Sequence, residues 1–151
     1  MTTLLIGNFG AHNVGDELIL SQALEEYPDA LVMTHDAIAS QVFCERDFPT
    51  VEFFPTGFRS FWRIFTDKCY RKSLKNLKSE VTQIIFPGGG LFAIKNRAYF
   101  LWFIVVLWCR LLCPKAVISF EHQGVDTHIS FSKKLLLKWV FKDAKKISTR
   151  D

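Results

Sequence analysis

Three clusters in this sequence hold residue types that can do chemistry. The first is Gly7-Asn8-Phe9-Gly10-Ala11-His12-Asn13-Val14-Gly15-Asp16-Glu17, where glycines are interleaved with an imidazole, two amides and two carboxylates. The second is Gly88-Gly89-Gly90, and the third is Glu121-His122-Gln123-Gly124-Val125-Asp126. The first cluster has the outline of a phosphate cradle but not its parts. A dinucleotide fingerprint needs G-x-G-x-x-G, and a P-loop needs Gly-Lys-Ser/Thr where the helix begins. Here the glycines fall at 7, 10 and 15, and the next segment opens on Asp16-Glu17. Carboxylates there complement the positive end of a helix and repel a phosphate from the same N–H groups. A hydroxyl-bearing ligand such as a sugar suits Gly10, Asn13, Gly15, Asp16 and Glu17 better, because amides and carboxylates hydrogen-bond hydroxyls. A purely structural capped turn accounts for the same residues.

The triple glycine lets main chain approach a ligand without side-chain obstruction, and its bare N–H groups suit an anion nest. His12, His35, His122 and His128 suit proton transfer near neutral pH, and His12 and His122 are the candidate donors, with Asp16 a further catalytic candidate. The histidines lack metal-ligand spacing such as H-x-x-x-H, so no metal is expected. The G-x-S-x-G elbow of serine hydrolases is also missing. Cys44, Cys69, Cys109 and Cys113 form no C-x-x-C pair, and Cys109 and Cys113, four apart, are expected to pack in a core.

Positioning these clusters requires strands and helices in alternation. Residues 3–6 read as a buried strand. Apolar residues at 18, 19, 20, 23, 24 and 27 give 16–26 a helical period. Residues 30–34 form a second strand, and Asp36 caps a helix running to about Glu45. Residues 51–54 are a third strand. One long helix is expected over 59–79, with Phe58, Phe61, Trp62, Phe65 and Cys69 along one packed face and Arg63, Arg71, Lys72, Lys75 and Lys78 as its basic remainder. A strand at 83–86 feeds the triple glycine. The stretch 98–109 (AYFLWFIVVLWC) is uninterrupted apolar and implies a helix buried on more than one side. A strand at 116–120, a helix at 131–142 with Leu135, Leu136, Trp139 and Val140 inward, and a strand at 146–149 complete the order. Such alternation implies a parallel sheet with helices on both faces, a doubly wound, Rossmann-like α/β domain. In that fold ligands bind at the C-terminal edge of the strands, where all three clusters fall.

The 151 residues, 49% hydrophobic and 23% charged with 15 Phe, allow one domain with a core of its own. Residues 1–56 hold nine acids and one Arg, whereas residues 57–151 hold eighteen Lys/Arg and six acids. This asymmetry suits an anionic membrane contact or simply solvated helix faces. Stacking aromatics are not interleaved with the basic residues as in RNA-binding modules, so nucleic acid is not an expected partner. The apolar stretch falls short of the roughly 20 residues a spanning helix needs. With no export signal at the start and no cysteine pairing, a cytoplasmic location is expected, with peripheral contact at the inner face of the membrane.

Taken together, the clusters resemble the polysaccharide pyruvyl transferases. The run from Gly7 to Leu20 is similar to that family's opening G-x-x-G-x-x-N-x-G-D-E-x-x-L. Ile85-Phe86-Pro87-Gly88-Gly89-Gly90-Leu91 resembles its strand–GGG segment, His122-Gln123-Gly124-Val125 its Q-G-I/V turn, and Ile147-Ser148-Thr149-Arg150-Asp151 its I-S-x-R-D strand end. Asp126-Thr127 departs from the Gly-Pro the family often has after its Q-G. The resemblance implies transfer of a pyruvyl group from phosphoenolpyruvate, as donor substrate rather than cofactor, to a sugar of a cell-envelope polysaccharide. It implies a fold similar to one half of a GT-B enzyme, with this chain as the N-terminal half and a C-terminal domain or second chain needed for turnover. It further implies a saccharide or lipid-linked glycan acceptor held near Asn13, Asp16, Glu17, the triple glycine, Gln123 and Gly124. Two other readings remain, a glycan- or partner-binding domain of the same ancestry without catalysis, and half of a nucleotide-sugar glycosyltransferase.

Overall fold

The computed structural model describes residues 2–92, 99–124 and 131–149. The chain runs β1 (Thr2–Ile6), α1 (Val14–Glu26), β2 (Leu31–Thr34), α2 (Ala37–Phe43), β3 (Thr50–Glu52), α3 (Phe58–Thr66), α4 (Lys68–Glu80), β4 (Val81–Phe86), α5 (Tyr99–Leu112), β5 (Val117–Gln123), α6 (Phe131–Phe141) and β6 (Lys146–Thr149). The strands pair in parallel in one six-stranded sheet of order β3-β2-β1-β4-β5-β6. This is the doubly wound order, and its direction reverses between β1 and β4.

Side-chain alternation along the strands divides the core in two. Leu5, Val32 and Ile85 face one layer, where they meet Leu20, Ala23 and Leu24 of α1 and Phe48. Leu4, Ile6, Met33, Ile84, Phe86 and Phe120 face the other, against Tyr70, Leu74 and Leu77 of α4, Val105, Val106 and Cys109 of α5, and Leu137 and Val140 of α6. Much of the phenylalanine excess sits in this second layer. Phe86 stacks on Phe120 with centroids 4.8 Å apart, and Phe92 and Phe141 meet Phe120 edge-on at 5.5 and 4.9 Å.

The structure departs from the sequence reading in several places, including β3, which ends at Glu52 where a strand over 51–54 is expected. The long helix expected over 59–79 is two helices. Asp67 sits between them in extended backbone, and its carboxylate accepts from Tyr70 N at 3.0 Å, which starts α4. An aspartate that satisfies the free N–H groups of a new helix outcompetes continuation of the old one. The stripe Phe61, Trp62 and Phe65 consequently points outward, and Cys69 is exposed as well, while Tyr70, Leu74 and Leu77 provide the packing face.

Helix α5 buries Trp102, Val105, Val106 and Cys109, a single stripe at three- and four-residue spacing, and leaves Phe100, Leu101, Leu107 and Leu111 exposed. It is covered on one side only, although it is apolar all round. On α6 Val140 is buried and Trp139 packs half-buried against the core as expected, but Leu137 is the second buried residue, Leu136 is half-buried and Leu135 is exposed. Finally, β5 extends through Glu121, His122 and Gln123, where the sequence pattern predicts a loop after residue 120. No helix of the described residues is long and apolar enough to cross a membrane.

Candidate functional site

The sheet's reversal point is occupied by the first two glycine-bearing clusters. Asn13 stands in extended backbone as the N-cap of α1, and its Oδ1 accepts from Gly15 N at 3.1 Å. That cap turns the Asn13 amide nitrogen toward Asp16, where it donates to Oδ2 at 2.8 Å. Asn8 Nδ2 donates to the same oxygen at 3.0 Å. Two amides thus pin one carboxylate oxygen. The other, Oδ1, lies on the side of Gly89, 3.6 Å from where a β-carbon there would sit.

Glu17, its neighbour, has a different fate. It is buried, and its Oε1 accepts from Gly10 N at 2.6 Å, fastening the loop down from beneath. Gly10 has φ +74, and a β-carbon there would overlap the Asp36 nitrogen. Both residues therefore hold the loop rather than a ligand. The capped turn and the cleft wall are the same loop seen from two sides.

Across the cleft, Gly88 and Gly89 have φ +145 and +95, in the region that favours glycine. Gly89 pairs with Gln123, and Gly124 N donates to Gly89 O at 3.1 Å, so the ends of β4 and β5 are zipped together. Gln123 is fully buried, with Nε2 donating to Phe86 O at 2.9 Å and Glu121 O at 3.1 Å. It ties the sheet edge together and does not line the cleft. Glu121 is also buried and pairs with Lys146 at 2.8 Å, which raises the lysine's pKa through that hydrogen bond and charge.

His122 reaches the cleft by a bulge. Between β5 and β6 the register passes from Phe120↔Ile147 to Gln123↔Thr149, so Glu121 and His122 together stand opposite Ser148. His122 takes φ +49 there, and its N–H donates to Ser148 Oγ at 2.9 Å. Bulges of this kind re-aim a side chain beside a site.

The result is a cleft of about 590 Å³ lined by Gly15, Asp16, Leu18, Ile19, Gln22, Pro87, Gly88, Gly89 and His122. Of the residues singled out in the sequence, Gly15, Asp16, Gly88, Gly89 and His122 meet here, with Asn13 behind Asp16 and Gly90 and Gly124 adjoining. His12 is exposed at φ +57 on the first loop and is not part of the lining. His35 stacks on Phe53 at 4.1 Å instead, where burial lowers its pKa. His128, Val125 and Asp126 lie outside the described residues, as do Arg150 and Asp151. Sequence reasoning missed Leu18, Ile19 and Gln22. The signal was available, since 15, 18, 19 and 22 share one face of a helix. It also missed Asn8 as the second support of Asp16.

The lining offers hydroxyl-binding groups (a carboxylate oxygen, an amide and an imidazole) over an apolar floor of Leu18, Ile19 and Pro87. It contains no Lys or Arg among the described residues. No family model and no curated protein matches the chain. Among solved structures the chain is similar to the TrkA-N domain of the inner membrane protein ybaL from Escherichia coli, at 11% identity and a TM-score of 0.49, over 98% of this chain and 85% of that one.

Proposed function

We propose that the cleft binds the sugar acceptor of a polysaccharide pyruvyl transferase-like reaction. The observation that carries this reading is Asp16, held through Oδ2 by Asn8 and Asn13 with Oδ1 turned toward Gly89 in a cleft that His122 also lines. Transfer joins C2 of the enolpyruvyl group to two hydroxyl oxygens of one sugar. C3 gains a proton and becomes a methyl group, the first hydroxyl adds at C2, and inorganic phosphate leaves as the second hydroxyl closes the ketal. Such chemistry asks for a group that takes hydroxyl protons and a group that delivers one to carbon. Asp16 Oδ1 suits the first role and His122 the second. The donor's carboxylate and phosphate need cations, and Asp16 repels them. The donor is therefore held from outside the described lining, the place of the second domain or chain that the resemblance implies, and the acceptor is a saccharide or lipid-linked glycan presenting a diol.

The test is saccharide binding followed by saturation-transfer NMR with diol-bearing hexoses, combined with ketal formation from 13C-labelled phosphoenolpyruvate. Asp16→Asn, which keeps the shape and removes the charge, is expected to weaken saccharide binding about tenfold. His122→Gln, whose amide still hydrogen-bonds a hydroxyl but transfers no proton, is expected to lower ketal formation far more than binding. Unchanged binding in Asp16→Asn, or preferential binding of a nucleotide sugar, overturns the reading. Saccharide binding without ketal formation at any donor concentration replaces it with a glycan-binding domain.

A further inference from the structure

The uneven charge of the sequence becomes a difference between the two faces of the sheet. The layer of α1 and α2 carries Glu25, Glu26, Asp29, Glu45 and Asp47, all exposed, with Arg46 as its one basic residue. The opposite layer, α3 to α6, exposes Lys68, Arg71, Lys72, Lys75 and Lys78 on α4 and Lys134, Lys138 and Lys142 on or beside α6. Of the acids of that layer, Asp67 and Asp143 are paired with Arg63 at 3.0 Å and Arg110 at 3.9 Å, and Glu80 is exposed at the far end of α4.

Between these basic flanks lies an apolar surface. The break at Asp67 leaves Phe61, Trp62 and Phe65 exposed by 46, 60 and 62%. Beside them, Leu107 and Leu111 of α5 are exposed, and with Phe61, Ile104 and Trp108 they line a groove of about 490 Å³. Phe61 and Trp108 are 6.3 Å apart across it. Exposed aromatic patches of this extent mark a docking surface. Aromatic and leucine side chains flanked by lysines are the composition of a surface that lies in a lipid headgroup region. Protein interfaces, in contrast, are depleted of lysine, and lysine supplies seven of the eight flanking cations named above.

We infer that this face docks on an anionic phospholipid bilayer, with Phe61, Trp62 and Phe65 entering the headgroup region and the α4 and α6 lysines meeting the lipid phosphates. The inference does not depend on which ligand the cleft takes, and its test uses no turnover. The full chain is sedimented with vesicles of phosphatidylcholine alone and of phosphatidylcholine with phosphatidylglycerol. Binding is expected only to the anionic vesicles, weakening as salt rises to about 0.5 M. Tryptophan emission should shift to the blue on binding, and Trp62→Phe should lose most of that shift while still sedimenting. The double variant Phe61→Ser/Phe65→Ser changes exposed positions, so its far-UV dichroism should be retained while binding falls about tenfold. Lys72→Glu/Lys75→Glu should lose at least about tenfold by a separate route. Equal sedimentation with both vesicle types, or unchanged binding in both double variants, overturns the inference. So does a concentration-dependent dimer of the free chain that Phe61→Ser/Phe65→Ser dissolves, because the face would then belong to a second copy.

Discussion

Asp16 and Glu17 are adjacent in the chain and opposite in role. The helix turn of about 100° between neighbours puts one side chain toward the cleft and the other under the loop. Only Asp16 is accessible to a ligand. Glu17→Ala is accordingly expected to act on stability, costing about 1–3 kcal/mol because Gly10 N is left without its buried acceptor. Urea denaturation measures it. Gly10→Ala should cost roughly 2–3 kcal/mol, since alanine resists φ +74 and its β-carbon meets the Asp36 backbone. His35 supplies a pH dependence. Burial against Phe53 lowers its folded pKa below the unfolded value of 6.5, so protonation favours the unfolded chain. Its contribution to stability is complete above the unfolded value of about 6.5 and is lost as pH falls from there through the lowered folded pKa. Urea midpoints at pH 7.5 and 5.5 should differ less in His35→Phe, which keeps the stack without the titrating group.

At the scale of elements, the break at Asp67 decides what the α3–α4 segment presents. A stripe at helical spacing over residues 58–69 reads as a buried face because burial is the usual fate of such a stripe. What the pattern omits is that Asp67 is itself a helix-starting residue, and that Tyr70, Leu74 and Leu77 form a second stripe out of phase with the first. Tyr70 is anchored by its hydroxyl on Phe53 O at 2.8 Å, and burial pushes its pKa up to about 12. That anchor favours the second stripe. In the aromatic layer between β4, β5 and α6, Phe120 meets Phe86, Phe92 and Phe141, and Phe120→Ala is expected to cost about 3–5 kcal/mol in urea unfolding.

For the whole molecule, the doubly wound topology sorts the cysteines as well as the charges. Cys69 is exposed, Cys44 half-buried, and Cys109 and Cys113 buried in the α5 layer. Burial raises the thiol pKa of Cys109 well above its ordinary value and also raises those of Cys113 and Cys44. Thiolate is the reactive form. A thiol-disulfide reagent at pH 8 should therefore consume one equivalent at once, a second slowly, and the remaining two only on unfolding.

The order of strands and helices, apart from the α3–α4 break, was legible from the sequence, because apolar periods of 2 and 3.6 and a cap such as Asp36 mark local structure directly. The location of the candidate site at the strand ends followed from the same order. Three things needed the tertiary structure. Glu17 and Gln123 turned inward because buried main-chain groups at Gly10, Phe86 and Glu121 had to be hydrogen-bonded. His122 entered the cleft because β5 carries a bulge opposite Ser148. The aromatic stripe of α3 faced outward because α4 and α5 already filled the sheet beneath it. Each depends on which groups meet across the fold, and a period along one segment carries no record of its neighbours.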